Sequence, residues 1–421
     1  MKNAFTYLSS FLLLLFTMSY TSSDNKQAAF HEIGAKEILG DSNYLAISYG
    51  GYRQKTRDIQ PTLPEIKEDM KILSAIGIKV LRTYNVHLDE ASNILKVITE
   101  LKKEDPKFEM YVMLGAWIDC KDAWKDNPDH YGESERNAVE IAKAVELTKQ
   151  YPDIIKMIAV GNESMVKWAA AYHVQAGVVL KWVNFLQDLK KKGELPGNLW
   201  ITSSDNFASW GGATSNYKTD NLTKLIQAVD FISMHTYPMH DTHYYPAFWG
   251  IVKDEENLSD REKVDAAMLR AKDYAISQYN SVKKYVDSLG IEKPIHIGET
   301  GWASQSNEHY GNTGSKATDE YKSAMYYKHM RDWTNKAGMS CFYFEAFDEQ
   351  WKDDKNALGS ENHFGLMNLQ GRAKFALWDL VDKGVFKGLK RDGMTITKTY
   401  DGNMDSLWKE IQMPPALILK N

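Results

Sequence analysis

Hydrophobic positions along the chain fall into two textures that take turns. Short, almost unbroken apolar runs occupy residues 44–50, 79–84, 110–117, 157–161, 199–203, 231–235, 294–298 and 341–347. Runs apolar at successive rather than alternate positions are the mark of strands buried on both faces. Between them the apolar residues space out by three and four. Leu63, Ile66, Met70 and Leu73 form one such stripe, and Ile94, Val97, Ile98 and Leu101 another. A third carries Val139, Ile141, Ala142, Val145 and Leu147 on the face expected to point inward. These stripes predict helices over 63–75, 91–103 and 138–149, with further ones over 174–189, 262–286 and 318–335.

Eight strands alternating with helices imply a parallel sheet, and the count of eight points to a closed (β/α)8 TIM barrel, an α/β fold. The length of 421 residues and 43% hydrophobic content suit a single catalytic domain of that kind. An open doubly wound sheet is the rival, but "SYGGYRQ" (48–54) after the first strand lacks the glycine spacing of a nucleotide-binding turn. No Pro/Gly/Ser-rich linker or shift in composition marks a second domain. The expected division is a signal peptide at 1–23, a lead-in at 24–42 and the barrel from 43 to 421, with a C-terminal extension whose tail, from Lys383, packs against it.

The signal peptide is read from Lys2, the apolar run 11–16 and the small polar residues 19–23. That run is too short for a transmembrane span, so the expectation is export to the periplasm, the cell surface or the medium, with no membrane span left after processing. A net charge of −5 with acids and bases intermixed gives no basic stripe, which argues against nucleic acid as a partner. A monomer is expected. The two cysteines, Cys120 and Cys341, stand at strand ends and are read as free core thiols. The 12 Trp and 23 Tyr suit a core and equally suit sugar faces.

In such a barrel, chemistry collects at the C-terminal ends of the strands. There the chain places Arg82 and Tyr84 (second strand), Asn162 and Glu163 (fourth), His235 and Tyr237 (sixth), Glu299 and Trp302 (seventh), and Glu345, Glu349, Trp351 and Lys352 (eighth and beyond). A lone Glu after a strand is usually a helix-start or surface carboxylate. Two of them, Glu163 and Glu299, across one barrel mouth are the equipment of glycoside hydrolysis: one carboxyl protonates the departing oxygen and one carboxylate attacks the anomeric carbon. Arg82, His235 and Tyr237 are expected to hold the nucleophile and keep its pKa low. Asn162 is placed to hydrogen-bond a sugar hydroxyl.

"VGNE" (160–163) together with "GETGWAS" (298–304) resembles glycoside hydrolase family 17, the β-1,3-glucanase group. "FEAFDEQWK" (344–352) and "ENHFGL" (361–366) resemble that family's last strand and the loop after it. The resemblance runs from about Tyr44 to about Leu366. It implies that Glu163 is the general acid/base and Glu299 the nucleophile of a retaining double displacement, with Glu349, Lys352 and Glu361 lining the site. "GWAS" replaces the usual "GWPS" and "EQWK" the frequent "EPWK"; both changes lose a loop proline. The loops around 124–133 and 240–256 are hard to match, and they shape the subsites.

The expected function is therefore a retaining endo-β-1,3-glucanase acting on laminarin-like glucan, its one partner, without cofactor or metal. A β-1,3-glucanosyltransferase is the alternative, because the same intermediate can be passed to a sugar. A non-catalytic glucan-binding barrel is the third reading, opposed by the presence of both carboxylates. His235, His240, His243 and Asp241 raise the thought of a metal, but no second ligand cluster supports it. Trp302 and Trp351, beside the motifs, are the expected sugar platforms, and Trp117, Trp124, Trp168, Trp210 and Trp249 are expected in the core.

Overall fold

A computed structural model describes residues 33–417. The signal-peptide expectation lies outside them. Eight parallel strands close into a barrel in sequential order: β1 (Leu45–Ser48), β2 (Ile78–Arg82), β3 (Tyr111–Ala116), β4 (Ile155–Asn162), β5 (Trp200–Asn206), β6 (Ile232–His235), β7 (Ile295–Thr300) and β8 (Cys341–Tyr343). The barrel shuts where Ala46 of β1 pairs with Phe342 of β8. Seven longer helices run outside it: α1 (Leu63–Ala75), α2 (Asp89–Glu104), α3 (Arg136–Gln150), α4 (Ala176–Lys191), α5 (Asp220–Ala228), α6 (Asp260–Ser288) and α7 (Glu320–Lys336). None of the described helices is long and apolar enough to cross a membrane.

Local chemistry sets where these helices start. Thr62 caps α1 and Ser259 caps α6, each in a reciprocal box with the Glu three residues on, so backbone N–H groups that a helix start leaves unpaired are satisfied. The third stripe sits differently from its hydropathy: α3 buries Asn137, Glu140, Ile141, Ala144 and Leu147, while Val139 is exposed. Helix α5 was too short and polar at its ends to stand out in the sequence.

The bottom of the barrel is sealed. A short helix, Ala35–Ile38, puts Ala35, Ile38 and Leu39 into one buried cluster with Ala46, Val80, Met113, Met157, Phe231 and Phe342. The segment expected to be a lead-in is thus, from residue 33, part of the barrel's own core. The C-terminal extension straps the other side. Arg391 reaches Asp69 of α1 at 3.0 Å, Lys374 reaches Asp348 at 2.6 Å, and Leu417 N–H donates to the Ile251 carbonyl at 2.8 Å. Strand β8 is shorter than its apolar run because Glu345 N–H leaves the sheet to bond the Phe364 carbonyl. Cys120 and Cys341 are free and buried.

Candidate active site

The bottom seal leaves the C-terminal mouth as the open face, and the polar strand ends converge there. Arg82, the last residue of β2, is fully buried. Its guanidinium pairs with Glu299 Oε2, donates to the Gly298 carbonyl at 3.0 Å and reaches Asn162 Oδ1 at 2.5 Å. Glu299, on β7, also accepts from the Tyr237 hydroxyl at Oε1 (2.6 Å) and from the Tyr84 hydroxyl at Oε2 (2.8 Å). Burial alone would push this carboxyl up. The Arg82 guanidinium, His235 and the two phenols outweigh burial and hold it down at about 2. Glu299 is a carboxylate fixed in both charge and orientation.

Glu163 follows β4 in the left-handed region, at φ +46, with its N–H bonded to the Ser204 carbonyl at 2.9 Å. Gly161 turns the chain into that conformation, and a Cβ there would collide with Ser164 Oγ. Glycine is demanded at Gly298 for a different reason, since a Cβ would run into Ser233 Oγ. The Glu163 side chain is 24% exposed against 9% for Glu299, so the two carboxyls differ in access to solvent as well as in partners.

His235 meets its expected role only in part: it lowers the Glu299 pKa but makes no hydrogen bond to that carboxylate among the described residues. Its Nδ1 lies 3.1 Å from Glu163 Oε1, and its Nε2 lies 2.7 Å from Ser204 Oγ. It touches the fourth-strand carboxyl directly and acts on Glu299 only through its charge. The imidazole is held toward β5 by Ser204 Oγ at one nitrogen and meets the end of β4 with the other.

Above Tyr84, Asn162 and Glu299 opens a cleft of about 720 Å³. Tyr84, Asn162, Glu299, Glu349, Trp351, Lys352 and Glu361 line it. Glu349 accepts from Tyr52 N–H and from Trp351 Nε1, each at 2.9 Å. Glu345 is buried beneath, not in the cleft wall, and ion-pairs with Lys352 at 2.5 Å. Glu361 lies 3.6 Å from His240 Nε2, and the His240 ring stacks on Tyr237.

Trp302 does not reach the cleft. It is fully buried, its Nε1 donates to the Ala317 carbonyl at 2.8 Å, and its ring packs against Trp249 and Tyr326. The strand end points this indole outward, under α7, so the residue next to a catalytic motif is a core residue. The reverse holds for Trp117 and Trp124, which were expected in the core and line the cleft. Trp124 is 59% exposed and stacks on Tyr172 at 5.0 Å. Its setting, "DAWKDNPDHYGE" (122–133), is too polar for a core segment, and that signal was available. Trp168 is also exposed. Glu140 escaped notice entirely: it accepts from Val86 N–H (2.6 Å) and Trp117 N–H (3.0 Å), and so ties together the loops after β2 and β3.

The family profile described as the BtgE/BtgC glycoside hydrolase domain matches residues 46–365, which spans all eight barrel strands. The chain belongs to this glycoside hydrolase family. The resemblance of its fourth- and seventh-strand motifs to family 17 accords with that membership. An endo-laminarinase from Formosa Hel1_33_131 is 65% identical, with a TM-score of 0.91 over 92% of this chain and 100% of that one. A "probable glucan endo-1,3-beta-glucosidase btgC" of Aspergillus flavus is 25% identical over 329 residues, 75% of this chain; the chain spans only 40% of that protein's length. A β-1,3-glucanosyltransferase of Rhizomucor miehei, 18% identical with a TM-score of 0.53 over 85% of this chain and 99% of that one, shares the fold.

Proposed function

We propose that this BtgE/BtgC-family hydrolase is a retaining endo-β-1,3-glucanase that cleaves laminarin-like glucan, with Glu299 as nucleophile and Glu163 as general acid/base. The observation that carries the reading is the state of Glu299. A carboxylate held ionised by Arg82 and aimed by two phenols is ready to attack an anomeric carbon. Likeness to the Formosa endo-laminarinase supports the substrate and the endo mode.

In the first step a Glu299 oxygen bonds to the anomeric carbon while the glycosidic C–O bond breaks, and Glu163 gives its proton to the departing oxygen. In the second, Glu163 takes a proton from water, the water oxygen bonds to the anomeric carbon, and the bond to Glu299 breaks. Asn162 has its Oδ1 engaged by Arg82, which leaves its amide N–H₂ for a sugar hydroxyl. Glu349, Trp351, Lys352 and Glu361 form the wall against which the glucan lies. The apolar N-terminal stretch supports export, and a monomer completes the reading.

The test is incubation with laminarin, reading oligosaccharides and reducing ends over time. Shortened chains with a matching gain in reducing ends are expected; lengthened chains without that gain would make the protein a glucanosyltransferase. Glu299→Ala should lose activity and recover it with azide as an α-glycosyl azide. Full activity without azide would remove Glu299 from its role.

A further inference from the structure

The cleft contains a carboxyl that this mechanism does not use. Glu90 stands in the first turn of α2 and lines the cleft, yet it is 5% exposed. Its Oε1 has no close hydrogen-bond partner among the described residues, although the Tyr52 hydroxyl acts on the carboxyl as a donor. An unpartnered buried oxygen is a cost to folding that calls for a reason, and a bound ligand is one.

The surroundings decide its protonation. Burial pushes the carboxyl well above its ordinary value, and the neighbouring Glu349 charge adds to that; the Tyr52 hydroxyl, Arg57 and Lys352 oppose it less strongly. The helix N-terminus also favours the anion, but such an effect is small beside full burial. Glu90 thus favours its neutral form more than an ordinary carboxyl does, and in that form it has an O–H to donate and an oxygen to accept. A sugar hydroxyl, itself donor and acceptor, matches that pair.

Topology says which sugar. Glu163 follows β4 and is held from β5 and β6, by the Ser204 carbonyl and His235, so the departing oxygen and the leaving unit lie toward that side. The unit whose anomeric carbon is attacked, and those beyond it, then lie across Glu299 toward β8, β1 and β2. Glu90 follows β2, Tyr52 follows β1 and Glu349 follows β8. All three meet on that side, with the Glu349 carboxyl 2% exposed beside the same wall.

We propose that Glu90 is a specificity-determining residue on the glycone side of the cleft, exchanging hydrogen bonds with a hydroxyl of a neutral glucosyl unit. The inference rests on the glucanase reading above.

The experiment compares wild type, Glu90→Gln and Glu90→Leu on laminarihexaose labelled at its reducing end. Glutamine keeps a donor and an acceptor in the same volume, so KM and the cleavage positions should stay near wild type. Leucine should raise KM about tenfold, the scale of one lost hydrogen bond with little change in kcat. It should also move cleavage toward products with fewer units on the glycone side, while the melting temperature holds or rises. A structural role would give the opposite: a lower melting temperature with unchanged KM and cleavage positions. That result, or an equal loss in both variants, overturns the proposal. If wild type leaves laminarihexaose uncut, the glucanase reading falls first and takes this one with it.

Discussion

The Tyr237 hydroxyl stands 2.6 Å from Oε1 of Glu299 and donates its hydrogen bond there. A bond from a neutral donor to a buried carboxylate is worth about 1.5–3 kcal/mol, and it fixes the oxygen's direction as well as its charge. Tyr237→Phe removes only the hydroxyl. We expect kcat/KM on laminarin to fall about 10- to 100-fold. The acid limb of the pH profile should move with it. Glu299 must be ionised to attack, so activity falls as the pH drops through its value of about 2. Losing one of the groups that hold it down shifts that limb upward, and an unmoved limb would show that Tyr237 contributes orientation alone.

His235 serves the other carboxyl. With Nδ1 on Glu163 and Nε2 on Ser204, it fixes the rotamer of the residue that must hand over a proton. His235→Gln should therefore hurt most where protonation of the leaving group matters. On laminarin we expect kcat to drop by about tenfold or more, within the range of general acid catalysis. On a dinitrophenyl glucoside, whose leaving group needs no proton, the loss should shrink to near nothing. Equal losses on both substrates would return His235 to the nucleophile, where the sequence had suggested it belonged.

The barrel and the two carboxylates were legible because each is written in a local pattern: eight apolar runs, and a Glu at the end of two of them. What the sequence hid depends on rotation about an element's axis. Trp302 and Glu299 are three residues apart, yet one faces the mouth and the other the core beneath α7. Helix α3 buries Ile141, Ala144 and Leu147 of its stripe but departs from its hydropathy at one turn, with Val139 out and Glu140 in, where Glu140 accepts from two backbone N–H groups. Hydrophobicity cannot report a buried carboxylate whose partners are main-chain groups from distant loops. Glu90 was missed because a Glu in the first turn of a helix reads as an ordinary helix-start carboxylate, whereas here it is buried beside the cleft.

Asp205 gives a stability test with a definite sign. It is fully buried on β5, accepting from Met165 N–H at 2.7 Å and from Asn206 N–H at 2.8 Å. Burial pushes its carboxyl up to about 7; the Met165 amide opposes this and the Glu163 charge adds to it. Between the ordinary value of 3.8 and about 7, the folded protein keeps a proton that the unfolded chain has released. Stability from this group therefore declines as pH rises through that window and levels off above it. Asp205→Asn cannot titrate. Measured by thermal denaturation, the variant's melting temperature should gain on wild type from pH 4 to 7 and run parallel beyond. A constant difference across the window would mean that Asp205 is ionised throughout.

Trp124 should matter to long chains and little to the fold. It is exposed, stacks on Tyr172 and borders the cleft beyond β3. An aromatic contact of this kind is worth about 0.5–1.5 kcal/mol. Trp124→Ala should raise KM for laminarin about 2- to 10-fold, leaving kcat and the melting temperature close to wild type. A laminari-oligosaccharide too short to reach the ring should show no change. An effect independent of chain length would assign Trp124 to loop structure instead.

Trp302 makes the opposite prediction from a position that looks more functional. Its indole has no access to the cleft; it fills space between Trp249 and Tyr326 and satisfies the Ala317 carbonyl. Deleting a fully buried Trp leaves a cavity and an unpaired acceptor, costing about 3–5 kcal/mol. Denaturant titration of Trp302→Ala should record that loss, if the variant folds at all. The milder Trp302→Phe keeps most of the volume and drops only the N–H, so it should fold with a smaller loss, about 1–3 kcal/mol for the orphaned carbonyl. Its KM for laminarin should match wild type, because nothing that touches sugar has changed. A raised KM with unaltered stability would place the indole against the glucan after all.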